Sequence, residues 1–343
     1  MDCFQESLRS RVPGVSKARS AVRLLVSLAI AGITLVVPGV LLEQAGVTGA
    51  GVIGLAGLAA TIASATLGWR VGVLAAVVVT AGVVLADAAA GSWLTSTLVM
   101  VAVSAVYGLS ATRGWQRGLS LVPIAIAFVI ASPPSTGWSG DRPLLAIAVV
   151  TAATAAFGVV VSALLSRHPT SARQSDVSGV RARGYAIMLA VAAVVTTPIA
   201  VLGNWGHPGG WLIMTPLIVI QPQLHDAVDK SWRRALGTII GFVIAFGFSV
   251  VVPAGWGLYV IGAAFAGFAL FALGRSWSYS IFATAMTVAV VLLEGTSTSV
   301  ADTGRWRLVA TLLGVGVAIA IVAAMAPLYK KWNRLADPPS HTS

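Results

Sequence analysis

The feature that most constrains this chain is a succession of twelve apolar runs, most of them about as long as a membrane-spanning helix. A helix needs about 20 apolar residues to cross the hydrocarbon core of a bilayer. The runs lie at residues 24–42, 47–67, 71–90, 93–110, 119–132, 143–166, 185–202, 211–222, 236–252, 256–273, 278–293 and 308–329. Only 10% of the residues are charged, against about 25% in soluble domains. The sequence therefore predicts an all-α integral membrane protein with about twelve transmembrane helices.

An internal repeat accompanies this pattern. A shift of 162 or 163 residues places scarce tryptophan and arginine residues of the first half on those of the second. The matched pairs are Trp69 and Trp232, Arg70 and Arg233, Trp93 and Trp256, Arg113 and Arg275, Trp115 and Trp277, and Arg142 and Arg305. Six spans return the chain to its starting side, so the two six-helix copies are predicted to be parallel repeats.

This plan divides the chain into five segments. Residues 1–23 form a basic cytoplasmic arm, and residues 24–166 form the first, diverged repeat. A basic cytoplasmic connector at residues 167–184 leads to the second repeat at residues 185–329, and a polar tail follows at residues 330–343.

The basic residues determine the predicted orientation. With the N-terminus inside, 19 of the 22 Lys and Arg lie on the inner side, and only Arg142, Arg305 and Arg307 lie outside. This is the asymmetry of the positive-inside rule, and it places both termini in the cytoplasm of a bacterial cell. The net charge of +11 is thus a topology signal with affinity for anionic lipid, and no nucleic-acid partner is expected.

The sequence contains no pattern typical of catalysis or metal binding. The four histidines form no HxxxH or HExxH motif, there is no P-loop, and the single Cys3 excludes a cysteine metal cluster. We therefore predict no enzyme activity, no cofactor and no metal site. Uphill movement of a solute would need an ion gradient or the membrane potential, which favours a secondary transporter.

The stretch from Gly209 to Gly241 is the most informative for function. Its apolar run is short, contains Pro216 and ends at Gln221-Pro222, and a charged turn follows. Two interpretations stay open: a discontinuous helix that lines a solute cavity, or a proline-kinked helix that continues through Leu224. Small residues then recur every four positions and predict close packing, within one chain or between two: Gly237, Gly241, Ala245 and Ser249.

Three elements of this stretch stand in a recognisable order: Trp211-x3-Thr215, then Gln221-Pro222, then Arg234-x2-Gly237-Thr238-x2-Gly241. Their order and spacing resemble the signature of the fusaric acid resistance/aromatic acid exporter family of membrane transporters. The similarity covers about residues 185–332. The resemblance implies efflux of small, mostly aromatic, carboxylic acids, driven by the proton gradient.

Six residues are predicted to contact the substrate: Trp211, Thr215, Gln221, Arg233, Arg234 and Thr238. Guanidinium groups bind carboxylates in bidentate fashion, and Arg234 is the one in register with the family-like Gly237-Thr238. The alternatives are positive-inside anchors for the arginines and, for Thr215, a hydroxyl bonded to its own helix. Helix shape and packing are assigned to Pro216, Pro222, Gly237 and Gly241.

Four acidic residues are candidates for proton coupling: Asp87, Asp226, Asp229 and Glu294. Asp87 and Glu294 lie near the outer ends of the third and eleventh spans, where an ionisable group is a functional candidate. Asp226 and Asp229 lie in the charged turn, where they are also explained as partners of neighbouring cations.

The sequence thus favours an inner-membrane secondary transporter whose partners are a small organic anion and the lipid bilayer. A passive anion channel and a non-transporting membrane scaffold stay open as alternatives. A channel would keep conducting down a solute gradient after a protonophore removes the proton gradient. The small-residue faces are also compatible with a homo-oligomer.

Overall fold

The computed structural model describes residues 50–137, 143–165, 177–222, 224–253, 256–274, 277–294 and 300–336. These residues form helices and short connections and contain no β-strand, which confirms the predicted all-α class. The basic arm at residues 1–23 and the predicted first span at residues 24–42 lie outside the described residues.

Twelve α-helices follow one another in the described ranges. They are α1 (Ala50–Leu67), α2 (Trp69–Ala89), α3 (Trp93–Leu109), α4 (Gln116–Leu119), α5 (Leu121–Ala131), α6 (Pro143–Leu165), α7 (Gly179–Leu202), α8 (His207–Val219), α9 (Leu224–Val251), α10 (Trp256–Gly274), α11 (Tyr279–Glu294) and α12 (Val300–Ala336). Short 3-10 helices at Ser110–Arg113 and Pro134–Gly137 follow α3 and α5. Because α4 and α5 together form one apolar segment, the twelve helices do not correspond to twelve membrane spans.

Seven helical segments of the described part are long and apolar enough to cross a membrane. They are α2, α3 with its 3-10 turn, α4 with α5, α6, α7, α9 and α12. Shorter apolar segments lie at Ile53–Leu67, Val260–Ala269 and Tyr279–Leu293. The chain is therefore a multi-pass helical membrane protein, and the arrangement of twelve spans in two repeats stays a prediction.

Three helices extend beyond the apolar runs that predicted them. Residues 179–184 of the supposed connector belong to α7, residues 224–235 of the supposed charged turn belong to α9, and residues 330–336 of the supposed tail belong to α12. The prediction of a turn between α8 and α9 was wrong at these positions. Hydropathy marks only the apolar part of a helix, so the polar turns at its ends are wrongly predicted to be loops.

The exterior of the protein is apolar. Val77, Leu98, Val106, Leu164 and Val243 are each at least 60% exposed, whereas hydroxyl groups and two arginines are buried. A lipid solvent favours this distribution, because outward apolar side chains meet acyl chains and polar groups find partners inside.

Helices α1, α2, α5 and α6 pack together, and α3 connects them to the remaining helices through α7. Gly108 of α3 lies directly against the backbone of Ala186 of α7, so a side chain there would collide with it. Next to this contact, the rings of Tyr107 and Tyr185 lie 6.4 Å apart. Helix α8 packs against α5 on one side and α12 on the other.

Helix α9 packs against α11 and α12. A Cβ atom on Gly237 would lie 2.8 Å from Cβ of Ala283, and one on Gly241 would lie 2.7 Å from the carbonyl oxygen of Thr284. The small-residue face therefore packs within the chain at these two positions. Residue numbers rise together along this contact, so α9 and α11 run in the same direction. Only five residues separate α11 from α12 in the sequence, too few to return along the 16 residues of α11, so we infer that α12 runs antiparallel to α11 and to α9.

Candidate functional site

Helix α8 ends where the sequence predicts a break. Its 13 residues span about 20 Å, roughly two-thirds of a bilayer core. Pro216 lies inside the helix without ending it, and the helix ends at Val219. Ile220 has extended backbone angles, φ −62° and ψ 129°. The discontinuous helix is thus the observed form, and the helix does not continue through Leu224.

The side chain of Gln221 closes this helix end. Its Nε2 donates to the carbonyl oxygens of Ile218, at 3.0 Å, and Ile220, at 2.8 Å. The last carbonyls of a helix have no partner within the helix, so this amide satisfies two groups that the break exposes. Gln221, with the buried Pro222 behind it, therefore holds the break in place.

Arg233 lies on the first turns of α9 and is paired. Its Nε lies 2.7 Å from Oδ2 of Asp229, and both side chains are exposed by more than 40%. Its Nη1 also donates to Oγ of Ser278, at 3.2 Å. Nζ of Lys230 lies 5.0 Å above the ring of Tyr279. These contacts make Arg233 an anchor at the helix end, while the side chain of Asp226 lies outside the described residues.

Arg234 has the opposite environment from its neighbour. It is 1% exposed, and its Nε and Nη2 make no hydrogen bond to any described residue. It lies beside Tyr279, at the start of α11. Burying the N–H donors of a cation without an acceptor is costly, so a guanidinium with two such donors is a candidate for binding an anionic ligand.

Thr238 follows Arg234 one turn later on the same face of α9. It is 1% exposed, and its hydroxyl has no hydrogen-bond partner among the described residues. The equally buried Thr196 and Thr287 differ, because each hydroxyl donates at 2.8 Å to the carbonyl four residues earlier. That local bond is the usual solution for threonine in a helix. Thr238 keeps a hydroxyl that is able to donate to a ligand.

The same pair of side chains occurs on α12. Arg307 is 1% exposed and Thr311 is 0% exposed, and the hydroxyl of Thr311 has no partner in the described part of the chain. The sequence counts Arg307 among the cations of the outer side, and the structure shows that its side chain is buried in protein. Arg305 and Trp306 face outward, and the next step of about 100° around the helix turns Arg307 inward.

The ring of Trp211 packs against the guanidinium of Arg307. Cζ of Arg307 lies 3.5 Å from the centre of the Trp211 ring, a cation–π contact. The same ring meets Phe128 edge-on at 4.7 Å and lies 6.3 Å from His207. Trp211 is 6% exposed, whereas the end-of-span residues Trp69 and Trp232 are more than half exposed and match the expected interfacial belt.

Thr215 serves packing in this arrangement. Its hydroxyl donates to the carbonyl oxygen of Trp211 at 2.7 Å, and its side chain lies against Gly314 of α12. Its hydroxyl is thus satisfied by its own helix. Together, the Trp211–Arg307 and Thr215–Gly314 contacts fix the position of α8 along α12.

Sequence reasoning missed Arg307 and Thr311, although a signal for them exists. Arg307-x3-Thr311 repeats the spacing of Arg234-x3-Thr238. An i, i+4 pair shares one helix face, so both patterns place a guanidinium next to a hydroxyl.

The acidic candidates lie apart from these pairs. Asp87 is buried near the end of α2, where its Oδ1 accepts a 3.0 Å hydrogen bond from the backbone N–H of Ser135. Glu294 ends α11, and its side chain lies outside the described residues. Proton coupling by any of the four acids stays a prediction. Within the described residues, no group of three or more His, Cys, Asp or Glu is placed to hold a metal ion.

A groove between α2 and α6 offers a contrasting environment. It is lined by alanine, valine and leucine side chains, with Thr80 as the polar exception. It opens on the apolar exterior and presents no cation. Its lining is suited to an acyl chain or another helix and gives an anion nothing to bind.

Parts of the chain match known proteins. An "Uncharacterized protein ORF2" from Neisseria gonorrhoeae is 27% identical over 155 residues, which are 45% of this chain and 36% of that protein. The chain thus spans only about a third of that relative's length. No solved structure matches the chain significantly. Residues 199–321 match the model of the fusaric acid resistance protein-like family, which confirms over that segment the resemblance that the motif indicates.

Proposed function

We propose that this chain is a secondary transporter that exports small organic acids, aromatic carboxylates among them, across the bacterial inner membrane with the proton gradient as energy source. The observation that carries the proposal is Arg234, a buried guanidinium inside the family-matched segment whose Nε and Nη2 have no hydrogen-bond partner among the described residues. A carboxylate is the acceptor that fits such a group best, because two parallel N–H···O bonds satisfy both partners.

The charge distribution supports the orientation that export requires. Burial of Arg234 and Arg307 takes one cation from each predicted side and leaves the large excess of cations on the inner side. In this orientation α9 begins in the cytoplasm, and Arg234 lies about three turns from its start.

The end of helix α8 before Pro222 supports a path through the protein along which a solute moves. A helix that stops within the membrane leaves backbone groups without intrahelical partners, and such irregular backbone is tolerated only inside protein or beside a polar cavity. Gln221 satisfies two of these carbonyls in the present conformation. We infer that α8 and α9 change their relative tilt at this break when the site exchanges between the two sides.

The test is efflux of a labelled panel that includes benzoate, other aromatic acids and aliphatic acids, from cells with and without the protein. The proposal predicts faster efflux of at least one carboxylate and loss of uphill efflux on addition of a protonophore. Equal efflux of every acid with and without the protein would refute transport. Continued downhill conduction without any uphill phase would identify an anion channel instead.

The matched variants are Arg234→Gln and Arg70→Gln. Both remove one positive charge, but Arg234 is buried and Arg70 is exposed at the start of α2. Efflux should fall only in the Arg234 variant at equal protein level. If Arg234→Gln exports normally while altering a co-purifying complex, the scaffold alternative is correct.

A further inference from the structure

Helices α9 and α12 carry the same pair of side chains, an arginine and, four residues later, a threonine. Arg234, Thr238, Arg307 and Thr311 are each no more than 1% exposed. The hydroxyls of Thr238 and Thr311 have no hydrogen-bond partner in the described residues, and neither do two donor atoms of Arg234. Polar groups buried in this way normally have partners. Packing alone therefore does not explain why each of two touching helices buries such a pair.

The two pairs lie at about the same level of two helices that pack together. The ring of Phe242 on α9 covers Gly304 on α12, which fixes their relative level. Counted along antiparallel helices from this contact, Arg307 is about level with Thr238, and Thr311 is about level with Arg234. The two pairs therefore occupy the same stretch of the helix axis, with arginine and threonine in opposite order.

The guanidinium groups point toward opposite ends of this overlap. Long side chains on a helix lean toward its N-terminus. Arg234 accordingly lies beside Tyr279, at the start of α11, and Arg307 lies over Trp211, close to the start of α8. With α9 starting in the cytoplasm, Arg234 lies toward the inside and Arg307 toward the outside. The hydroxyls of Thr238 and Thr311 lie between them.

We propose that Arg307 and Thr311 form a second anion-binding station, on the outer side of the station formed by Arg234 and Thr238. A small carboxylate passes between the stations along the contact of α9 with α12, and the two hydroxyls donate to it on the way. This inference rests on the proposed function for the direction of travel only. The site itself is an anion path through buried protein.

The Arg307–Trp211 contact suits this role. An aromatic face attracts the guanidinium and holds the group in one orientation. The indole therefore positions a cation at the outer end of the path. A purely structural clamp between α8 and α12 is the alternative that the experiment has to exclude.

The experiment uses the fact that the chain contains one cysteine, Cys3. In a Cys3→Ser background, Thr238→Cys and Thr311→Cys place single thiols in the path, and Thr287→Cys places a control thiol that is equally buried in the α9–α11 contact. Full-length protein in membranes is treated with sulfonatoethyl methanethiosulfonate, an anion, or with its trimethylammonium analogue, a cation. The labelling rate of each variant is measured with both reagents, with and without excess benzoate.

The proposal predicts that thiols at positions 238 and 311 react with the anionic reagent at least about tenfold faster than with the cationic one. It predicts no reaction at position 287. No labelling at position 311, or equal rates with both reagents there, would overturn the second station. Because labelling needs no transport, this result separates the anion path from the proposed export: protein that labels as predicted but exports no acid refutes only the export.

A second change tests Arg307 itself. Arg307→Gln in the Thr311→Cys protein should bring the ratio of anionic to cationic labelling rates close to one, because the charge that selects anions is gone. Arg305→Gln is the matched control, since it removes an exposed arginine two residues away on the same helix. If Arg307→Gln leaves the ratio unchanged, Arg307 is a clamp and the proposal fails. If it prevents folding, Arg307→Lys keeps the cation and should keep the preference for anions; a lost preference there would contradict the proposal.

Discussion

The described arginines of α1–α6 lie at the surface, whereas α7–α12 bury two of theirs. In the first group, Arg70, Arg113 and Arg117 are exposed at helix ends. Cζ of Arg70 lies 5.6 Å from the Trp69 ring and Cζ of Arg113 lies 5.1 Å from the Trp115 ring, so these pairs form at the surface between neighbours in sequence. They are suited to anchoring helices at a membrane interface.

In the second group, two arginines are enclosed by protein. Arg234 and Arg307 are both 1% exposed, and Arg307 stacks at 3.5 Å on Trp211, a tryptophan far away in sequence. The same two residue types thus form an interfacial anchor in one group and a buried cationic centre in the other. Both buried arginines lie within the family match at residues 199–321, and no helix of the first group does.

The predicted internal repeat separates the two kinds of arginine. Arg70 aligns with Arg233, and both are at least partly exposed, whereas Arg234 aligns with Val71 and Arg307 with Leu144. In this predicted alignment neither buried cation has a counterpart in the first half, which predicts a function that only the second half carries.

The largest expected effect is on transport in Arg234→Gln. Loss of a charge-assisted bond to a buried carboxylate is worth about 1.5–3 kcal/mol, so the efflux rate should fall about 10- to 100-fold. Efflux of a labelled acid at matched protein level measures this. Arg70→Gln should remain within about twofold of the unaltered protein, and an equal loss in both variants would erase the distinction between the two groups.

Glycine contacts should affect both groups alike. Gly108→Ala would press on the backbone of Ala186, and Gly241→Ala on that of Thr284, so each should lower the free energy of unfolding by about 1–3 kcal/mol. Thermal unfolding in detergent measures this effect. Gly247→Ala is the control, because no atom lies within 4 Å of its added Cβ. Unchanged stability in both glycine variants would show that these helices pack less closely than described.

Removal of single hydroxyls should have a smaller effect on efflux, and only at positions 238 and 311. Thr238→Val and Thr311→Val keep the side-chain shape and delete a donor worth about 1 kcal/mol, so efflux should fall about fivefold. Thr287→Val deletes a hydroxyl that is already bonded to Ala283 and should leave efflux unchanged. Equal losses in all three variants would point to general destabilisation.

The smallest effect is expected for Asp87→Asn in the first group. The asparagine oxygen is able to accept the same N–H bond from Ser135, so stability and efflux should change by less than about twofold. Efflux against external pH measures the outcome. A strong shift of the pH profile would make Asp87 a proton-coupling residue and give the first group a direct part in transport.

Much of the helical plan could be predicted, because lipid imposes long apolar runs that hydropathy detects. The break before Pro222 also followed from local chemistry. The family resemblance singled out Arg234, whose part in substrate binding stays a prediction. Burial of Arg307 and Trp211 did not, since both lie near span ends, where charge and indole normally mark the interface. Which of three consecutive residues, Arg305, Trp306 or Arg307, faces inward depends on helix rotation, and tertiary packing sets that rotation.

The central claim is that the acid is bound by the buried arginines of α9 and α12. The most direct measurement is the position of bromine in crystals grown with 4-bromobenzoate, located by anomalous scattering. The account predicts a bromine peak inside the protein between α9 and α12, with the carboxylate on Arg234 or Arg307. An ordered bromine in the apolar groove between α2 and α6, with the α9–α12 contact unoccupied, would contradict it.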